Sequence, residues 1–185
     1  DGVHYNSNSK AAPVVQLTTI MMVLVLILML TWYVIILDVH GAFLLGNFED
    51  GVQIFMYVPQ GFEEFYDNGV VLLLKKTLYG TIQAAKRFWM KLLSVLKNIQ
   101  FTRSKAEPCL YYKWSDLGLV FILSWVDDLM IAGNKEAVLE AKKALMQQFE
   151  CEDVGELKGY VGCKVERDKS FCSTNATSFV AEFAG

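Results

Sequence analysis

Two adjacent aspartates, Asp127 and Asp128, interrupt an otherwise apolar stretch of the sequence, "SWVDDLMIAG". The run before them, residues 119–126, contains a single polar residue, Ser124, and the run after them, residues 129–132, contains none. Short apolar runs of this kind predict buried strands. A tight turn between the strands is the one place where charge reaches solvent, so the pattern predicts a hairpin with the acidic pair at its turn.

A polar turn is one explanation of this pair, but an incomplete one. Hairpin turns favour Asn-Gly or Asp-Gly, and neighbouring like charges repel each other. A cation would offset the repulsion, and Mg²⁺ is the natural candidate because it prefers carboxylate oxygens and keeps waters and substrate phosphates as further ligands.

A third carboxylate, Asp38, follows another apolar run at residues 32–37. Asp38 lies 89 positions before Asp127, so the two meet only if their strands are neighbours in one sheet. An aspartate at a strand end beside an acidic hairpin turn is the layout of two-metal phosphoryl and nucleotidyl transferases.

Residues 20–37 form an uncharged run of 18 residues, close to the roughly 20 that a membrane-spanning helix needs. One interpretation divides the run into a buried helix over residues 18–30 and a buried strand over residues 32–37. The other makes residues 20–37 a single helix, with Asp38 at its end and far from Asp127. The aromatic and β-branched composition of residues 32–37 favours the first.

The rest of the chain mixes helical and strand patterns without regular alternation. Apolar spacing predicts helices over residues 84–99 and 135–149, the second capped by Asn134. Further strands are predicted over residues 53–58, 70–74 and 109–114. Residues after 168 show no clear pattern. Together these elements predict an α+β fold, an antiparallel sheet with helices packed on one face.

Charge is distributed unevenly along the chain. The formal net charge is −3, which alone argues against a nucleic-acid partner, yet residues 75–113 carry nine basic residues and one acidic residue. Such a segment holds phosphates locally or forms a solvated helix face. The four cysteines and two histidines show no zinc spacing, as in an intracellular protein with reduced cysteines.

Seven motifs occur in a fixed order: "APVV" at 12–15, "LDVHGAFLLG" at 37–46, "VPQGFE" at 58–63, "KKTLYGTIQAAKRFW" at 75–89, "SKAEPCLYYK" at 104–113, "WVDDLMIAG" at 125–133 and "FECEDVGELKGYVGCKVERD" at 149–168. In this order they resemble the reverse transcriptase domain of Ty1/copia-type retrotransposons. The resemblance implies a polymerase palm with partial fingers over residues 18–168, after a tail or truncated fingers segment at 1–17 and before a tail at 169–185.

The resemblance also implies a catalytic site. Asp38, Asp127 and Asp128 would be the catalytic carboxylates, and with the backbone carbonyl of Val39 they would hold two Mg²⁺ ions, for which Mn²⁺ could substitute.

Substrate-binding residues follow from the same resemblance. Phe43 matches the position that blocks a ribose 2′-hydroxyl, and Gln83 falls in the block that contacts template and incoming nucleotide. Lys86 and Arg87 would touch phosphates, and Gly162 matches the turn that grips the primer end.

Some positions depart from the family pattern. Leu45 stands where the family has asparagine, Ile82 where it has lysine, and Ala85 where it has proline. Loss of the lysine removes a phosphate contact, so the grip on substrate is expected to be weaker.

Two functions remain as hypotheses. The first is an RNA-dependent DNA polymerase of a retroelement polyprotein, acting on primer–template and dNTPs in a cytoplasmic or nuclear particle. The second is a catalytically inactive relic, a structural subunit of a larger and membrane-associated complex held by residues 20–37.

Overall fold

The computed structural model describes residues 12–48, 51–79, 81 and 83–155, together with the backbone of three C-terminal strands. The chain divides into two compact units. The smaller unit is built on Gly41–Lys91, and the larger unit combines Pro13–His40 with the chain from Leu92 onward.

The larger unit contains an antiparallel sheet. Its described strands are β1 (Tyr33–Val39), β4 (Thr102–Arg103), β5 (Leu110–Ser115), β6 (Gly118–Trp125), β7 (Asp128–Gly133) and β8 (Cys151–Gly155). They lie in the order β4-β5-β6-β7-β1-β8. A second antiparallel sheet joins β9 (Gly159–Tyr160), β10 (Cys163–Asp168) and β11 (Ser178–Phe183).

The described helices are α1 (Leu17–Met29), α2 (Ala84–Asn98) and α3 (Lys135–Met146), and α2 begins in the smaller unit and ends in the larger one. In the smaller unit β2 (Phe55–Tyr57) pairs with β3 (Val71–Leu73), and single 3₁₀ turns occupy Ala42–Leu44 and Glu63–Phe65. The predicted α+β class with an antiparallel, palm-like sheet is confirmed.

Helices pack against both faces of the larger sheet. The apolar side of α1 packs with Ile36, Met130 and Ala132. Val120 lies beside Ala137 and Ala141 of α3, and because side chains alternate along a strand, Val120 belongs to the opposite face from its neighbour Phe121, which packs with the α1 cluster. The sequence predicted helices on one face only.

The apolar run at residues 20–37 is divided, as the first interpretation predicted. α1 ends at Met29, and Thr31, just beyond the C-cap, has φ +50°. The N–H of Thr31 is donated to Leu28 O at 3.2 Å, and the N–H of Trp32 to Ile27 O at 3.0 Å. This pair of bonds is a Schellman C-cap. The hypothesis of one continuous helix over residues 20–37 is therefore wrong, and no helix in the described part of the chain is long and apolar enough to cross a membrane.

Three local predictions need correction. Asn134 occupies the N-cap position of α3 but makes no side-chain capping bond to that helix; its Oδ1 instead accepts the N–H of Leu119 at 3.0 Å. The helix ends at Met146 rather than at residue 149. Ser178–Phe183, within a segment that shows no sequence pattern, pairs with β10 as a strand.

A buried carboxylate fastens the start of α1 to the sheet. Glu107 is only 3% exposed and accepts hydrogen bonds from the backbone N–H of Gln16 at 3.0 Å, the hydroxyl of Thr19 at 3.3 Å and the N–H of Cys109 at 3.1 Å. Gln16 is the N-cap residue of α1 and its own side chain makes no capping bond. Glu107 therefore supplies from 91 residues away the acceptor that the helix N-terminus lacks.

Replacing Glu107 with glutamine should lower the free energy of unfolding by about 1–3 kcal/mol, because an amide keeps one acceptor oxygen but places N–H groups against donors. Urea denaturation followed by circular dichroism would measure the change. Glu64→Gln, at an exposed position, is the matched control and should change stability by less than about 0.5 kcal/mol. Equal effects of the two substitutions would contradict this role of Glu107.

Candidate active site

A two-residue turn joins β6 and β7. Trp125 pairs with Asp128, which leaves Val126 and Asp127 as the turn, so Asp127 lies at the tip and Asp128 begins β7. Of the two turn residues only Val126 has positive φ, at +53°, which is the φ pattern of a type II′ turn, where glycine is usual. A β-branched residue there is strained, and such strain concentrates at functional sites.

The pairing of β1 with β7 brings Asp38 to this turn. Asp38 lies directly opposite Asp128 in the antiparallel register, and the N–H of Val39 is donated to the carbonyl of Asp127 at 3.0 Å. Opposite residues of an antiparallel pair share a face, with Cβ atoms about 4.5–5.5 Å apart. Asp38 and Asp127 could meet only if their strands were neighbours in one sheet, and the structure shows that β1 and β7 are neighbours.

The pKa of Asp128 records this crowding. It is raised above the ordinary aspartate value, first by burial and then by the negative charges of Asp127 and Asp38. Burial and the charge of Asp38 also raise the pKa of the Cys151 thiol to about 11. The negative charge of Asp38 therefore contributes to a raised pKa on each of the strands that flank β1, at Asp128 of β7 and at Cys151 of β8.

Further titratable groups surround the end of β1, and sequence reasoning did not assign them a place there. Asp38 pairs with Glu152 of β8. The imidazole of His40 has Nδ1 at 3.8 Å from Glu150 Oε1 and Nε2 at 3.6 Å from Glu152 Oε2. The signal was available, because His40 follows Asp38 in "LDVHG" and both glutamates belong to "FECED".

The donor set suits a hard divalent cation held partly by substrate. In the described residues, no group of three or more His, Cys, Asp or Glu side chains is arranged to hold a metal ion. Mg²⁺ at polymerase sites is bound by one or two carboxylates and by substrate phosphates rather than by an all-protein cage. The Asp38–Asp128 pair, with Asp127 beside it, fits that second kind of site.

Four of the predicted substrate-binding residues belong to the smaller unit. Phe43 is in the turn Ala42–Leu44 of the smaller unit. Gln83 immediately precedes α2, and its carbonyl accepts the N–H of Arg87 at 2.9 Å. Lys86 and Arg87 occupy the first turn of α2. Gly162 lies outside the described residues, and the roles of all these residues stay predictions.

Comparisons with known proteins identify the family of the chain. Residues 1–183 match the family described as "Reverse transcriptase (RNA-dependent DNA polymerase)". The retrovirus-related Pol polyprotein from transposon TNT 1-94 of Nicotiana tabacum is 34% identical over 161 residues, which cover 86% of this chain and 12% of that protein. The corresponding polyprotein from transposon RE1 of Arabidopsis thaliana is 32% identical over 157 residues, or 84% of this chain and 11% of that protein.

A yeast relative is more distant. The putative transposon Ty5-1 protein of Saccharomyces cerevisiae is 26% identical over 135 residues, which cover 72% of this chain and 43% of that protein. No solved structure matches the chain. The predicted resemblance to Ty1/copia-type elements is confirmed, and the chain spans only a small part of the polyproteins that it matches.

Asp128→Asn should raise the free energy of unfolding at pH 7. The pKa of Asp128 is raised above 3.8 in the folded chain. Between the ordinary aspartate pKa and this raised pKa, the folded state therefore binds more protons than the unfolded state. As pH rises through that range, ionisation of Asp128 lowers the free energy of unfolding. The gain should vanish below the ordinary aspartate pKa of 3.8. Urea midpoints at pH 3 and pH 7 would test it. Asp116→Asn, in the exposed β5–β6 turn, is the control. An equal gain in the free energy of unfolding from both variants would contradict the assignment of the effect to the raised pKa of Asp128.

Proposed function

We propose, from the premise that this chain belongs to the reverse transcriptase family of Ty1/copia-type retrotransposons, that it is the RNA-directed DNA polymerase domain of a retroelement polyprotein. One observation carries the proposal: the register that sets Asp38 opposite Asp128, with Asp127 at the adjoining turn. Carboxylates gathered at one strand end are what nucleotidyl transfer requires of a protein.

The reaction makes one bond and breaks another. The 3′-oxygen of the primer bonds to the α-phosphorus of a deoxynucleoside triphosphate, the bond between that phosphorus and the bridging oxygen breaks, and pyrophosphate leaves. Asp38, Asp127 and Asp128, with the carbonyl of Val39, would hold two Mg²⁺ ions, or Mn²⁺ in their place. When bound, such ions favour deprotonation of the attacking hydroxyl and stabilise the leaving oxygens.

The sheet's contribution to this chemistry is rigidity. Leu37 and Leu129, which pair in the register beside Asp38 and Asp128, are both fully buried. Side chains held by packed neighbours keep the geometry that reaction needs without reordering when substrate binds. Burial, and then the negative charges of Asp127 and Asp38, raise the pKa of Asp128. Bound cations would offset these unfavourable contributions by stabilising the ionised carboxylates.

Contacts to nucleic acid and nucleotide are proposed for the predicted substrate-binding residues. Lys86 and Arg87 would bind phosphates, which the excess of basic residues over 75–113 supports. Gln83 would contact template and incoming nucleotide, Phe43 would exclude the ribose 2′-hydroxyl, and Gly162 would grip the primer end.

The wider setting is also a proposal. The polyprotein names of the relatives support other retroelement domains as partners, in a cytoplasmic or nuclear particle. The departures at Leu45, Ile82 and Ala85 predict a weaker grip on primer–template than in relatives with asparagine, lysine and proline there.

Primer extension on an RNA template with Mg²⁺ tests the proposal. The wild-type chain should add deoxynucleotides, and Asp127→Asn should reduce the rate by at least about a hundredfold, because it removes a charge that acts on the reacting groups. Removal of Mg²⁺ with a chelator should abolish extension.

Asp116→Asn is the matched control, since it removes an exposed aspartate from a different turn of the same sheet. It should extend primers at the wild-type rate. Extension that survives Asp127→Asn unchanged, or a folded wild-type chain that extends no primer, would contradict the proposed function.

A further inference from the structure

In the smaller unit, the loop over residues 41–46 is hydrogen-bonded to Thr77, which is distant from it in sequence. Thr77 is fully buried; its hydroxyl is donated to the carbonyl of Phe43 at 2.6 Å, and its N–H to the carbonyl of Gly46 at 3.1 Å. These bonds fix the backbone on which the Phe43 side chain is carried.

Gly46 allows the two segments to approach closely. A Cβ atom at Gly46 would lie 2.5 Å from Cβ of Arg87 and 2.8 Å from Oγ1 of Thr77, distances that no side chain tolerates without displacement of its neighbours. The spacing between the Phe43 loop and the Thr77 segment is therefore set by packing that only glycine permits.

Tyr79, two residues after Thr77, makes a contact of a different kind. Its ring meets the ring of Phe43 edge to face, with centroids 5.3 Å apart and planes at 85°. Tyr79 is nonetheless 85% exposed, so it buries too little surface to serve the core. An exposed tyrosine whose ring restrains a half-buried phenylalanine is placed to orient that phenylalanine.

We propose that Tyr79 is a positioning residue, whose ring holds the Phe43 side chain in the orientation that separates deoxyribonucleotides from ribonucleotides. This inference rests on the proposed function and on the role proposed there for Phe43. The bond from Thr77 reaches the backbone carbonyl of Phe43, whereas the edge-to-face contact with Tyr79 acts on its ring and restricts the side-chain torsions. A group that excludes one hydroxyl must be held to within about 0.5 Å.

Primer extension on a poly(A) template with dUTP or UTP tests the inference, since these substrates differ only at the 2′-hydroxyl. Tyr79→Ala should raise the kcat/KM of UTP relative to dUTP by about two- to tenfold, the range expected from loss of one aromatic pair. Tyr79→Phe keeps the ring and should preserve the wild-type ratio. Tyr57→Ala, which removes an aromatic side chain that is 84% exposed in the same unit, should also preserve it.

A double-mutant cycle with Phe43→Ala makes the test specific to Phe43. Once the Phe43 ring is absent, Tyr79→Ala should change the UTP/dUTP ratio no further, because its effect is transmitted through that ring. Additive effects, or an equal loss of kcat/KM for both nucleotides in Tyr79→Ala, would overturn the positioning role while leaving the polymerase function standing. A folded wild-type chain that incorporates neither nucleotide would overturn both.

Discussion

The antiparallel pairing of β1 with β7 is the interaction on which the candidate site depends. A slip of one residue in this register would move Asp38 to the other face of the sheet and away from Asp128. Burial opposes such a slip, because Ile35, Leu37, Leu129 and Ile131 are all sealed from solvent. Gly133 adds a steric constraint at the far end of β7: a Cβ atom there would lie 2.2 Å from the carbonyl oxygen of Leu119 on β6.

The site is built at some cost to stability. Three carboxylates share one strand end, the pKa of Asp128 is raised by burial and by its acidic neighbours, and Val126 adopts a positive φ that suits glycine. A rigid sheet with helices on both faces offsets these local costs. The crowding is adverse for a folded chain without ligand and favourable for one that receives cations with its substrate, so the same feature that weakens the fold serves the proposed reaction.

Much of the fold could be predicted because its signals are local. The apolar runs that flank Asp127 and Asp128 predicted the hairpin, and the change of composition near Thr31 predicted the break between α1 and β1. What escaped prediction depends on contacts between distant residues. Glu107 caps a helix 91 residues away, Asn134 bonds to Leu119 instead of its own helix, and Tyr79 meets Phe43. Likewise, the sequence indicated Asp38 as a candidate carboxylate, but its position opposite Asp128 depends on the pairing of β1 with β7.

Divalent cation binding by Asp127 and the Asp38–Asp128 pair, as proposed above, would be measured first by Mn²⁺ titration followed by amide NMR. Paramagnetic broadening should appear first at residues 38, 127 and 128, and should be lost in the Asp38→Asn/Asp128→Asn double variant. The Glu150→Gln/Glu152→Gln double variant, which removes the two carboxylates beside His40, is the matched control and should keep the broadening. Broadening that is lost in this control, or that is unchanged in the Asp38→Asn/Asp128→Asn variant, would contradict cation binding by the three aspartates.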